Sequence, residues 1–265
     1  MICIERFSDH FVPNPYVELP ERDVFGVLHG SAYTPTHGPE QSKTAMAGNE
    51  YDMKTGGVTV FHSILELRID FKLMMSPYVI ESRCHYPMSL EEKVIRRLGL
   101  GERLLSSEVA TIDRMITLQR RDTLGLHLHA LSIKPEALLQ DDKVMRRHER
   151  ERLYVESRGA SWETVGSAWE KRYSAENLAT LRAWCLDTDG RAVYDDAVEF
   201  ARRLKRSTAV GSLERRISYV AGRMKRSMPT AYSLFAVAVG AGLLAVDDRY
   251  KLDPDYLLRL ENTER

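Results

Sequence analysis

Cysteine is scarce: the 265 residues contain three, Cys3, Cys84 and Cys185, scattered along the chain. That spacing excludes a disulfide framework and a cysteine metal knuckle, and it suits a reducing cytoplasm. No apolar run reaches the roughly 20 residues that a bilayer span requires. The longest, Ala231 to Val246, contains Gly240-x-Gly242 with Ala245, a partial dinucleotide fingerprint. It lacks the strand–glycine–helix order that such a site needs and stops at Asp247-Asp248, so it reads as a buried core helix. The N-terminus, MICIERFSDHF, carries charges where a signal peptide needs an apolar stretch. Net charge is absent too: 38 basic residues balance 38 acidic ones, so any nucleic-acid binding must come from local patches. There is no P-loop and no nucleophile elbow, so ATP hydrolysis, if required, belongs to another subunit. Aromatic residues do not stripe the basic region, which excludes a stacking platform for single strands.

What is present has a soluble, globular balance, with 43% hydrophobic and 29% charged residues. Residues 1–55, with PNPYVELP and TPTHGPEQ, read as an irregular arm with little core of its own. Residues 56–172 read as an α/β layer. GVTVF is a strand, SILELRIDFKLMM a helix, YVIESRCHYP a strand and LEEKVIRRLG a short helix. SEVATIDRMITLQ and LGLHLHALSIK pair across the polar turn RRDT. A charged helix then spans about Asp141 to Ser157, and ASWETVGS forms a last strand. Residues 173–265 read as four helices, each opened by a capping residue or proline, closed by the turn-and-strand tail DDRYKLDPDYLLRL in a winged-helix-like arrangement.

A strand that ends in lysine and proline before a charged helix, SIKPEALLQDDKVMRRHERERLYVESRG, suggests a phosphodiester-cleaving site. Such chemistry needs a divalent cation on the scissile phosphate, an activated water and stabilisation of the developing charge. Hard cations take one or two carboxylates from the protein. Asp113 in TIDRMI and Lys134 in LSIK would lie on adjacent strands near the same end. Alternation puts His127 and His129 on the face away from Lys134, so that pair reads as structural. Glu66 has two readings: the far member of a Ser63-x-x-Glu66 capping box, or an acid leaning over the sheet to complete a cation site.

These segments, in this order over about residues 55–170, resemble the TnsA family, the endonuclease subunits of heteromeric cut-and-paste transposases. They are similar to the restriction-endonuclease-like PD-(D/E)xK nucleases. The resemblance implies a restriction-endonuclease-like mixed sheet flanked by helices, with a C-terminal winged-helix domain. It implies Glu66, Asp113 and Lys134 as the catalytic set, and Glu66, Asp113 and Ser132 around Mg²⁺, for which Mn²⁺ would substitute. Ser132 stands where the family usually has Glu or Gln, so a main-chain carbonyl or a bridging water would have to assist there. The implied substrate is double-stranded DNA at transposon ends. The implied partners are a TnsB-like transposase and a TnsC-like AAA+ ATPase.

Between residues 202 and 226 lie Arg202, Arg203, Lys205, Arg206, Arg215, Arg216, Arg223, Lys225 and Arg226, against a single acid, Glu214. The cluster reads either as solvated helix faces or as a weak DNA-binding surface. In MRRHERER acids and bases interleave at helical spacing, which marks a solvated helix that could also flank DNA. The competing functional reading is a nuclease-like scaffold without catalysis, acting as an assembly subunit.

Overall fold

The computed structural model describes residues 17–42, 46–88, 96–97, 100, 102, 109–119, 125–170 and 172–261. The expected RRDT turn at residues 120–123, and the expected helix over 90–99 apart from residues 96–97, fall outside them. The described residues divide into two compact units: residues 17–70 with 79–169, and residues 71–78 with 170–261.

The first unit is α/β. A small antiparallel hairpin joins β1 (Gly48–Tyr51) to β2 (Val58–Phe61). Helix α1 (Ile64–Met74) follows, then β3 (Val79–Pro87), β4 (Thr111–Gln119) and β5 (Leu126–Ile133). Helix α2 (Asp142–Glu156) leads into β6 (Ser161–Val165). The larger sheet has the order β3-β4-β5-β6, with the first two pairings antiparallel and the last parallel. A parallel neighbour cannot be reached by a tight turn, and α2 supplies the crossover. Asp141 starts that helix by accepting the main-chain N–H groups of Lys143 and Val144.

The sheet core gathers Phe25, Val27, Tyr86, Ile112, Met115, Ala130, Val155 and Ala160. Phe25 and Val27 come from the irregular stretch before β1, which therefore contributes to the core of the sheet. Tyr33 extends that attachment by donating its hydroxyl to the Cys84 carbonyl at 2.7 Å. A buried ion pair ties α1 to β4. Arg114 is fully buried and holds Asp70 with Nε at 2.5 Å and Nη2 at 2.6 Å. The same guanidinium donates to the Asp113 carbonyl at 2.7 Å and the Val60 carbonyl at 2.9 Å.

The second unit is helical: α3 (Ser174–Trp184), α4 (Tyr194–Arg206), α5 (Leu213–Met224) and α6 (Met228–Gly240). Ser212 and Ser227 cap α5 and α6, and Pro229 sits in the first turn of α6. The apolar run expected to be helical as far as Val246 stops being helical at Gly240. Gly242 takes φ +71°, and Leu243 N–H reaches Ala238 O at 2.8 Å while Gly242 N–H reaches Val239 O at 2.9 Å. That paired return is a Schellman stop, so the glycines terminate a helix. The tail contains only the isolated bridges Ser212↔Leu257 and Val246↔Leu260 among the described residues, in place of the strands expected there. Among the described residues no helix is long and apolar enough to cross a membrane.

Candidate active site

A cavity of about 500 Å³ opens in the first unit, and its wall includes Glu66, Asp113, Lys134, Arg147 and Arg150 with His37, His62 and His85. Three of the residues expected to form the site thus share one cavity. Asp113 is the most heavily bonded of them. Its Oδ2 accepts the Ile133 N–H at 2.7 Å and the Lys134 ammonium at 2.8 Å, and its Oδ1 accepts Arg147 at 3.2 Å. Burial alone would raise the Asp113 pKa. The Lys134 and Arg147 charges and these hydrogen bonds outweigh it and hold the carboxyl below its ordinary value. Lys134 Nζ also donates to the Ile133 carbonyl at 2.8 Å, which fixes the ammonium beside the strand end.

Glu66 forms the expected cap and also stands on the cavity wall. Its N–H donates to Ser63 Oγ at 3.2 Å, and its carboxylate accepts the Ser63 hydroxyl at 3.3 Å and the His62 N–H at 2.9 Å. The acid caps the helix start, as the spacing anticipates, with the return bond falling on His62 N–H, one residue before the cap. It does this while standing on the cavity wall. No protein-family model matches the chain, and no curated protein is significantly similar to it.

Ser132 is not on that wall. It lies in a central strand between β4 and β6, fully buried, and its hydroxyl has no hydrogen-bond partner. A ligand role for its side chain does not fit this placement. His127 and His129 also stand apart from the cavity. Both contact Ser161 Oγ at 2.6 Å, and His129 Nε2 lies 3.1 Å from Glu163, which makes them part of a β5–β6 polar network.

Among the described residues no three His, Cys, Asp or Glu side chains are arranged to hold a metal ion. The donor chemistry does fit a hydrated Mg²⁺, which takes one or two carboxylates and completes its shell with water. Of about four acceptor positions on a carboxylate, Asp113 uses three and Glu66 two, so each retains capacity toward the cavity.

The three histidines were not singled out in the sequence, because they come from separate segments. His62 stacks on His85 with ring centroids 4.1 Å apart, and His37 lies 5.9 Å from His85. His85 takes φ +47° inside β3, a conformation rare for any residue with a side chain, although histidine adopts it more readily than most. Thr36 Oγ1 donates to its carbonyl and holds the turn. Strain of about 1–3 kcal/mol at such a position is a mark of functional sites.

Burial pushes the His85 imidazole down to about 2, with the Arg114 and His62 charges adding to it and Asp113 opposing it. The sign follows from linkage. Below the unfolded value of about 6.5 the unfolded chain gains a proton that the folded chain refuses, so stability falls as pH drops. The loss is about 2 kcal/mol between pH 6.5 and 5. Urea midpoints at pH 7 and pH 5 should show that fall in the wild type and a smaller one in His85→Asn, whose side chain tolerates the same backbone angle. An equal fall in both would show that His85 does not carry it.

In the second unit, Arg202 and Arg203 both bind Glu199, at 2.6 Å and 2.5 Å, and Arg226 binds Asp196 at 2.6 Å. Arg216 turns toward the carbonyls of Leu258 and Leu204. The local excess of charge read from residues 202–226 is therefore reduced by two acids of α4 that precede that window, Glu199 and Asp196. Arg206, Arg215 and Lys225 form no salt bridge among the described residues, and Arg223 contacts Tyr219 Oη at 3.5 Å.

Proposed function

We propose that the chain is a Mg²⁺-dependent DNA endonuclease, with Glu66, Asp113 and Lys134 as its reactive set. The observation that carries this reading is the convergence of a helix carboxylate, a sheet carboxylate and a strand-end ammonium on one cavity. Mg²⁺, when bound, would supply charge neutralisation at the scissile phosphate and a more acidic water. Glu66 and Asp113 would hold it, and Lys134 would orient the attacking water or stabilise the charge that develops on the phosphate. The burial of Asp113 keeps those charges in a low-dielectric setting, where they act more strongly than in water.

The segments that resemble the TnsA family set the biological form of the proposal. The mixed sheet is read as restriction-endonuclease-like, and the helical unit as the winged-helix counterpart. The substrate is double-stranded DNA at transposon ends, where this subunit cuts the 5′ strands to leave a 3′-hydroxyl and a 5′-phosphate. A TnsB-like transposase cuts and joins the 3′ ends, and a TnsC-like AAA+ ATPase contacts the C-terminal unit. Incubating transposon-end DNA with the chain, both partners and Mg²⁺ or Mn²⁺ should give 5′-strand nicks that EDTA abolishes. Nicks that survive EDTA would remove the cation from the scheme.

A second reading has its own support. Ser132 is fully buried and is not among the residues lining the cavity, and Asp113 already accepts two hydrogen bonds on Oδ2, from Lys134 and Ile133. On that reading the chain is an assembly scaffold. The complex would form on transposon ends without any 5′ cleavage by the wild type.

A further inference from the structure

Helix α2 carries an alternating run of charges, and its two arginines on the cavity wall, Arg147 and Arg150, are held differently. Arg147 is held by Asp113 and by Glu151 at 2.5 Å, and Arg152 bridges Glu149 and Glu156, each at 2.7 Å. Arg150 lies on the cavity wall, exposed, with no acid partner among the described residues. It stands one turn after Arg147 on the same helix face, the spacing at which side chains are neighbours.

The charges on the cavity wall show what that leaves. Lys134 and Arg147 are ion-paired with Asp113, so Arg150 is the wall cation without an acid partner among the described residues. Around it the wall includes the rings of His37, His62 and His85. An anion with several acceptor oxygens complements that arrangement. Arginine is also the cation whose fork matches a phosphate geometrically.

We propose that Arg150 is a backbone contact for the duplex, binding a DNA phosphate next to the one placed over Asp113 and Lys134. The inference rests on the nuclease reading and deepens it. Arg150 would position the substrate without touching the reacting atoms. The other two cations on the cavity wall, Lys134 and Arg147, are each paired with a carboxylate, so one remains for the strand.

The test is duplex binding by the full chain with Ca²⁺ in place of Mg²⁺, measured by fluorescence anisotropy across a salt series. The loss of one phosphate contact lowers the slope of log K against log salt by about 0.9. Arg150→Gln should show that drop with an unchanged melting temperature, because the side chain is exposed. Arg150→Lys should retain most of the slope, and Arg152→Gln on the same helix should match the wild type. A wild-type slope in Arg150→Gln overturns the inference and leaves the nuclease reading standing. A reduced slope in Arg150→Gln, together with normal cutting by Lys134→Met, supports the contact and overturns the catalytic assignment. If Arg150→Gln weakens binding of inorganic phosphate but not of duplex, the site takes the free anion and the inference fails. A wild type that binds no duplex at low salt overturns it as well.

Discussion

Lys134→Met is expected to reduce 5′-strand cleavage by roughly 10²- to 10⁴-fold while leaving the fold intact. The expectation rests on how Asp113 is satisfied. With the ammonium removed, Asp113 still accepts the Ile133 N–H at 2.7 Å and Arg147 at 3.2 Å, so no buried carboxylate is left unpaired. Methionine keeps most of the aliphatic stem that lies against the strand end. Asp113→Asn is a poorer probe. It replaces one acceptor oxygen by an N–H donor facing Lys134 and Arg147, so stability and activity fall together. The decisive comparison is the rate of 5′ nicking by Lys134→Met and wild type, with melting temperatures alongside. Equal rates would end the assignment of Lys134, and with it the strongest support for hydrolysis. A rate lost without a change in melting temperature is a result the scaffold reading cannot give, because a scaffold has no cleavage to lose.

How much of this site could be read from the chain depends on whether its signal was local. Asp113 and Lys134 were legible because two alternating apolar stretches separated by a polar tetrapeptide place their ends side by side, and β4 and β5 do pair antiparallel. Glu66 was legible as a cap because Ser63-x-x-Glu66 is a short-range pattern; its position on the cavity wall depends on how α1 lies on the sheet. The histidines were invisible for the opposite reason. His37, His62 and His85 lie on three segments, and the φ of +47° that marks His85 is a property of the folded backbone. Ser132 shows the limit from the other side. Its spacing from Lys134 matched a motif, yet a central strand buries its side chain. Helix α6 ended early because an apolar run carries no sign of its stop, although Gly242 was a residue able to supply one. The basic cluster misled because the window begins after Glu199, one turn before Arg202 and Arg203, and because the pairing of Arg226 with Asp196 is made between separate segments of the chain.

Arg114→Ala is expected to cost about 3–5 kcal/mol, the scale for breaking a buried ion pair from one side. Both partners are buried, and burial pushes Asp70 up to about 6 even against the pull of the guanidinium. Without Arg114 the carboxyl would have to take up a proton at neutral pH or remain charged without a partner, and either outcome favours unfolding. The carbonyls of Val60 and Asp113 lose their donors at the same time. The double variant Arg114→Met with Asp70→Leu should recover much of the loss, because apolar packing replaces a buried pair at little cost. Urea unfolding of the two single variants and the double one measures that coupling, and strict additivity would contradict it. The pair also bears on the site. Asp70 lies one turn beyond Glu66 on α1, and Arg114 follows Asp113 on β4, so this ion pair links the two elements that carry the carboxylates. If the double variant refolds but cuts slowly, the separation of the two carboxylates is what the ion pair provides. If it refolds and cuts at the wild-type rate, packing alone sets the distance and the pair serves stability only.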